Sequence, residues 1–157
     1  MAKRDREMIH IDKNDIEVIE MVTTALEWYS SCHSSASILQ LLAFQDRLSI
    51  LSCNVAKIVA DCKASYLAAY FERKHSYSIK KLYHIGRGKN IGTSQELAEL
   101  EIEEEKNKEI EEERASYTIS LQLKQLNKVL SSVQQRISFL KQEQKRMEAL
   151  THDNKNG

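Results

Sequence analysis

Proline is absent from this chain of 157 residues, glycine occurs four times, and aromatic residues make up 6% of it. Without proline there is neither a collagen repeat nor a polyproline linker. Four glycines are too few to turn the many short strands of a β-sandwich. Net charge is missing too: 23 Lys and Arg balance 23 Asp and Glu. A disordered chain combines strong net charge with little apolar content, whereas 41% of these residues are hydrophobic. No apolar run approaches the roughly 18 residues of a membrane span, and the charged opening from Met1 to Met8 leads into no signal-peptide core. The three cysteines, Cys32, Cys53 and Cys62, form no CxxC pair. On one helix Cys53 and Cys62 would stand roughly 13 Å apart, beyond the reach of a disulfide at about 7 Å. They read as reduced thiols in a cytoplasmic protein, with Cys62 in its core.

What is present is helical periodicity. After a loose, charged lead over residues 1–13, Asn14 with Glu17 offers a capping box. Ile16, Ile19, Val22, Leu26 and Tyr29 follow at helical spacing, and Met21, Ala25 and Trp28 widen the stripe. This predicts a first helix over 14–30, ending at the serine-rich stretch Ser30–Ser35. A second helix is expected over 37–85. Its seam, Leu41, Phe44, Leu48, Leu51, Val55, Ile58, Cys62, Ser65 and Ala69, alternates steps of three and four residues. Every glycine but the last falls between Gly86 and Gly92, so a Gly-rich turn is expected over 86–94, with Thr93 as cap and Glu96 closing a second box. A third helix is expected unbroken over 95–150, with the seam Ile119, Leu123, Leu126, Leu130, Val133, Ile137, Leu140, Gln144 and Met147, before a frayed polar tail at 151–157.

Two long helices joined by a short loop fold back on each other. The expected fold is all-α: one domain in which a short N-terminal helix packs on a long antiparallel helical hairpin, a three-helix bundle with a coiled-coil-like arm. Folding about Asn90 sets Lys80 beside Leu100, Arg73 beside Asn107, Cys62 near Thr118 and Leu41 near Phe139. Ten glutamates between Glu96 and Glu113 then face a run of cations between Arg73 and Lys89. Large apolar residues gather toward the chain ends of the hairpin, where the first helix is expected to pack near Leu41–Leu51 and Val133–Met147. The loop end has the thinner core.

The residues that carry chemistry are sparse. His10, His33, His75, His84 and His152 form no HExxH and stand at no metal-ligand spacing, and no ExxH suggests a di-iron bundle. The expectation is a protein without catalytic residues, metal, cofactor, membrane segment or small-molecule substrate. The loop Gly86–Ser94 precedes a helix and could hold a phosphate, but it matches neither phosphate-loop fingerprint, and a hairpin tip with positive-φ glycines is the simpler account. Tyr70, Phe71, Arg73, Lys74, Tyr77, Lys80, Lys81, Tyr83, Arg87 and Lys89 interleave cations with rings, as a single-strand nucleic-acid surface does. The same cations facing the glutamate run make an internal charge zipper, and both readings stay open. Lys124, Lys128, Arg136, Lys141, Lys145 and Arg146 make a second, scattered basic face.

The order Ala64-Ser-Tyr-Leu-Ala-Ala-Tyr70, glycine break, Thr93-Ser94 with Glu96 and Ala98, Glu113-Arg-Ala115, then Ser132-Val-Gln-Gln-Arg-Ile-Ser-Phe-Leu-Lys-Gln-Glu143 resembles small all-helical accessory proteins of tailed bacteriophages over about residues 60–145. The resemblance implies an accessory factor in the host cytoplasm, with recombination or replication suggested for some such proteins. The Glu-rich stretch and the longer N-terminal half depart from that pattern, and no functional residue is carried over. The expected function is helix–helix docking with a protein partner or with itself. The alternatives are a single-strand nucleic-acid-binding accessory protein for replication or recombination and an acidic inhibitor of a host enzyme.

Overall fold

The computed structural model describes the backbone of residues 13–153 and the side chains of residues 14–151. The expected lead over 1–13 and tail beyond Thr151 therefore lie almost wholly outside the described residues, as do His10 and His152. The fold is all-α: α1 (Lys13–Cys32), α2 (Ile38–Gly86), α3 (Ile91–Glu101) and α4 (Glu103–Asp153). A short first helix packs on an antiparallel helical hairpin. The chain divides into two compact units, one of residues up to Ala56 and from Gln122 onward, the other Lys57–Leu121.

Helix boundaries follow from local hydrogen bonding. α1 runs two residues past its expected end, so Ser30 and Ser31 lie inside it and the turn falls after Cys32. Ser31 donates its hydroxyl to the Glu27 carbonyl instead of stopping the helix. α2 opens with a capping box that sequence reading passed over. The Ser37 hydroxyl accepts from the Gln40 N–H at 3.2 Å, while the Gln40 side chain accepts from the Ser37 N–H at 2.9 Å. α2 ends in a Schellman arrangement, with the Lys89 N–H on the His84 carbonyl and the Gly88 N–H on that of Ile85. Gly88 is the residue that needs a left-handed backbone, at φ +80°. Gly86 and Gly92 lie within helices, so the expected nine-residue turn shrinks to Arg87–Asn90.

α3 starts earlier than expected because Asn90, and not Thr93, caps it: its side chain accepts from the Thr93 N–H at 2.8 Å. The expected unbroken third helix is interrupted at Ile102, whose backbone turns to φ −109° and ψ 23°. No proline or glycine marks the spot. The break places Glu103, Glu104 and Glu105 in the first turn of α4, where the helix dipole favours carboxylates. In one continuous helix they would crowd Glu99 and Glu101 at like-charge spacing. Ile102 itself is fully buried.

In the first unit Leu41, Phe44, Leu48, Leu51 and Val55 of α2 are buried, as are Val22, Leu126, Val133 and Ile137. Leu123, Leu130 and Leu140 are half-buried. The seam of α4 stops there: Gln144 and Met147, placed in it by spacing, are exposed, so α1 does not cover α4 as far as Met147. Ile16, expected in the inner stripe of α1, is exposed too. The second unit buries Ile58, Ala69, Ser94, Ala98, Ile102 and Ile119. Cys62 is only half-buried there and Ser65 is exposed, because beyond Ile58 the seam has small side chains to offer. Ser94 is buried without polar cost, since its hydroxyl donates to the Asn90 carbonyl at 2.7 Å.

Candidate helix-docking groove

The first unit contains a site that no single motif announces. α1 and α2 are joined by a short turn and run antiparallel. Near that turn the Trp28 and Phe44 rings meet at 4.3 Å between centroids, tilted by 43°, and the Tyr29 ring stands 6.3 Å from Phe44. Such aromatic pairs contribute about 0.5–1.5 kcal/mol beyond the area they bury. His33 Nδ1–H donates to the Tyr29 carbonyl at 2.7 Å, and Arg136 of α4 reaches the Ser34 carbonyl, which ties the turn to α4.

Along the outer side of this pair lies an open groove of about 910 Å³, lined from Glu17 to Trp28 on α1 and from Gln40 to Asn54 on α2. Phe44, Leu48 and Leu51 are its most buried liners and form the floor. Met21, 59% exposed, and Ile50, 65% exposed, stand on its sides. Glu17, Glu20 and Arg47 supply charge at the rim. The trough is apolar along its floor and has a flexible methionine on one wall. Each square ångström of apolar surface removed from water there is worth about 25 cal/mol. A second hollow of about 400 Å³ lies between α1 and α4, bordered by Val22, Leu26 and Gln122. Gln122 Oε1 has no partner there.

The signal for the groove was in the sequence. Met21, Ala25 and Trp28 widen the α1 stripe beyond what one neighbouring helix covers, and Ile50 sits beside the α2 seam.

The basic stretch of the second unit is placed differently from an open nucleic-acid surface. Arg73 Nε–H donates to Glu109, and Lys108 reaches Glu72 at 2.7 Å. Lys80 donates to the Glu101 carbonyl, and His84 Nε2 lies 2.9 Å from the Glu101 carboxylate. These partners agree with a fold about Asn90 to within a few residues. The hydrogen bond to Glu109 raises the Arg73 pKa above its ordinary value, and desolvation opposes it less strongly. Two rings expected to stack bases carry the chain's own cations. Lys74 Nζ stands 4.6 Å from the Tyr70 centroid, with Arg73 near the same ring, and Arg87 packs on Tyr83 while donating to its hydroxyl at 2.8 Å. Tyr77 is half-buried. Lys81 and Lys89 have no acidic partner among the described residues. The zipper is partial. Glu99 pairs with Lys106 of its own acidic stretch, and the exposed Glu103, Glu104, Glu111 and Glu113 pair with no cation among the described residues.

Among the described residues no three His, Cys, Asp or Glu side chains gather as a metal-ligand group, and no helix is long and apolar enough to cross a membrane. No family model, curated protein or solved structure matches the chain.

Proposed function

We propose that this chain is a non-catalytic helical interaction protein that docks an amphipathic helix in the groove between α1 and α2. The groove carries this reading. It sets a continuous apolar floor of Phe44, Leu48 and Leu51 between exposed Met21 and Ile50, with charges confined to the rim. That distribution, an apolar centre and a polar edge, is the anatomy of a protein-docking patch. The likeness of residues 60–145 to phage accessory proteins supports a place among phage or mobile-element factors acting in the cytoplasm.

The test is a pair of charges placed where folding does not need the side chains. Met21→Glu with Ile50→Glu alters two exposed positions and should leave stability within about 0.5 kcal/mol per site. The doubly charged chain should keep its far-UV circular dichroism and lose, by tenfold or more, its association with protein partners recovered alongside the wild type, or with itself. Association unchanged in a folded double variant contradicts the groove as the docking site.

A further inference from the structure

Beyond Ile58 the second unit's share of α2 turns the usual helix pattern inside out. The side that meets the rest of the unit carries Tyr66, Tyr70, Arg73, Tyr77, Lys80 and His84, all half-buried. The large aliphatic and phenyl side chains look the other way. Phe71 and Leu82 are 64% and 67% exposed, and Leu67 and Ile85 are exposed with them. At about 100° per residue these four, together with the exposed Ala60, Ala64 and Ser78, fall within about 60° of arc. The strip runs for roughly 38 Å, and no described element covers it. No charged residue of α2 between Ala60 and Ile85 lies inside the arc. Lys63, Lys74 and Lys81 follow one edge of it, and His75 stands at the other. The nearest carboxylates of α2, Asp61 and Glu72, lie about 60–80° outside it, and Glu72 is engaged by Lys108 at 2.7 Å.

We infer that this face of α2 seats the second unit on a bilayer surface bearing anionic headgroups. Leu67, Phe71, Leu82 and Ile85 sink into the acyl boundary, and the lysine edge meets the headgroups. The inference does not draw on the groove between α1 and α2. Charge names the sign of the partner: one edge of the strip is a row of cations, and the face holds no carboxylate. A second copy presenting the same face would bring lysines to lysines. Shape and chemistry name its kind. The outer side of a single helix is convex, so a partner helix would have to bring the hollows to receive it, whereas a fluid interface closes around projecting side chains unaided. Leucine and isoleucine at the centre give a nucleic acid neither stacking surface nor hydrogen bonds, but they partition into lipid. Lysine suits the border, since its stem lies along apolar surface while its ammonium stays with the headgroups. Lys74 is already held there, its Nζ 4.6 Å from the Tyr70 centroid just outside the strip. On α4 the unpaired Glu103 stands about 160° around the helix from buried Ile119, turned away from this face.

The experiment uses the full chain and its variants, each checked by circular dichroism. The chain should sediment with vesicles of phosphatidylcholine containing about a third phosphatidylglycerol, and about tenfold or more less with phosphatidylcholine alone. Raising salt from about 0.1 M to about 0.5 M should weaken the binding. Phe71→Ser with Leu82→Ser, at two exposed positions, should reduce binding about tenfold or more, and so should Lys63→Glu with Lys74→Glu. Lys124→Glu with Lys128→Glu, the same change of net charge at exposed positions elsewhere, should leave it within about twofold. Brominated acyl chains should quench the added fluorescence of Phe71→Trp and leave that of the wild type's Trp28 unquenched. No binding to the anionic vesicles, equal binding to neutral ones, binding blind to either double substitution in the strip, or an equal loss from the Lys124 and Lys128 control would each overturn the inference. A labelled single-stranded oligonucleotide that binds in place of vesicles, and still binds after the two serine substitutions, would give the lysines to nucleic acid and overturn it. Capture of an acidic protein by a chain that ignores vesicles would overturn it too.

Discussion

The two units of this molecule solve the same packing problem with different materials. The first sets Leu41, Leu48, Val55, Leu126 and Val133 into its interior with no exposed surface, and adds the Trp28–Phe44 contact. The second brings its helices together over Ala69, Ser94 and Ala98, with Ile58, Ile102 and Ile119 as its large buried side chains. Around that small core it places Arg73 against Glu109 and Lys108 against Glu72. Apolar burial accumulates stability in proportion to area, whereas an exposed ion pair yields about 0–1 kcal/mol. Charges in the second unit therefore set which residues face each other, and leucines in the first supply most of the holding power.

The strongest way to break this contrast is to put a carboxylate where the first unit is tightest. Leu126→Asp buries a charge with no partner and should cost more than about 4 kcal/mol, enough to reduce helicity sharply. Unchanged circular dichroism would contradict the packing. The next effects belong to the turn of the second unit. Gly88→Ala forces a side chain to φ +80° and should destabilise by about 1–2 kcal/mol. Gly86→Ala, with open space around the new methyl and a helical backbone, should stabilise by roughly 0.5–1 kcal/mol. Thermal unfolding of the pair reads both signs. The smallest effects sharpen the role of charge. A double-mutant cycle on Arg73 and Glu109, whose side chains are 24% and 16% exposed, should give a coupling of about 0.5–1 kcal/mol that falls with salt. The same cycle on Lys108 and Glu72, both more than half exposed, should give less than about 0.5 kcal/mol.

Much of the fold was legible because heptad spacing and glycine position are local signals. Alternating steps of three and four residues marked Leu41 through Ile58 and Ile119 through Ile137, and the glycine cluster located the reversal. Sequence spacing failed where a residue had the right position but no neighbour to meet. Met147 continues the α4 seam by spacing, yet it is exposed because α2 begins only at Ile38 and α1 does not extend over it. The break at Ile102 was illegible, since neither proline nor glycine stands there and a buried isoleucine is no breaker. The cap at Asn90 was masked by Thr93, which has the right side chain three residues too late. The groove was half visible. A wide stripe on α1 was legible, and the structure shows that its Met21 edge stays exposed beside the groove.

Native-state hydrogen exchange along α2 tests the contrast most directly, because one continuous helix passes through both environments. Amides flanked by Leu41, Leu48 and Val55 should exchange most slowly, and protection should fall by orders of magnitude toward Lys63–Gly86. Uniform protection from Leu41 to Gly86, or slower exchange in the Tyr70–Tyr83 stretch, would contradict the account.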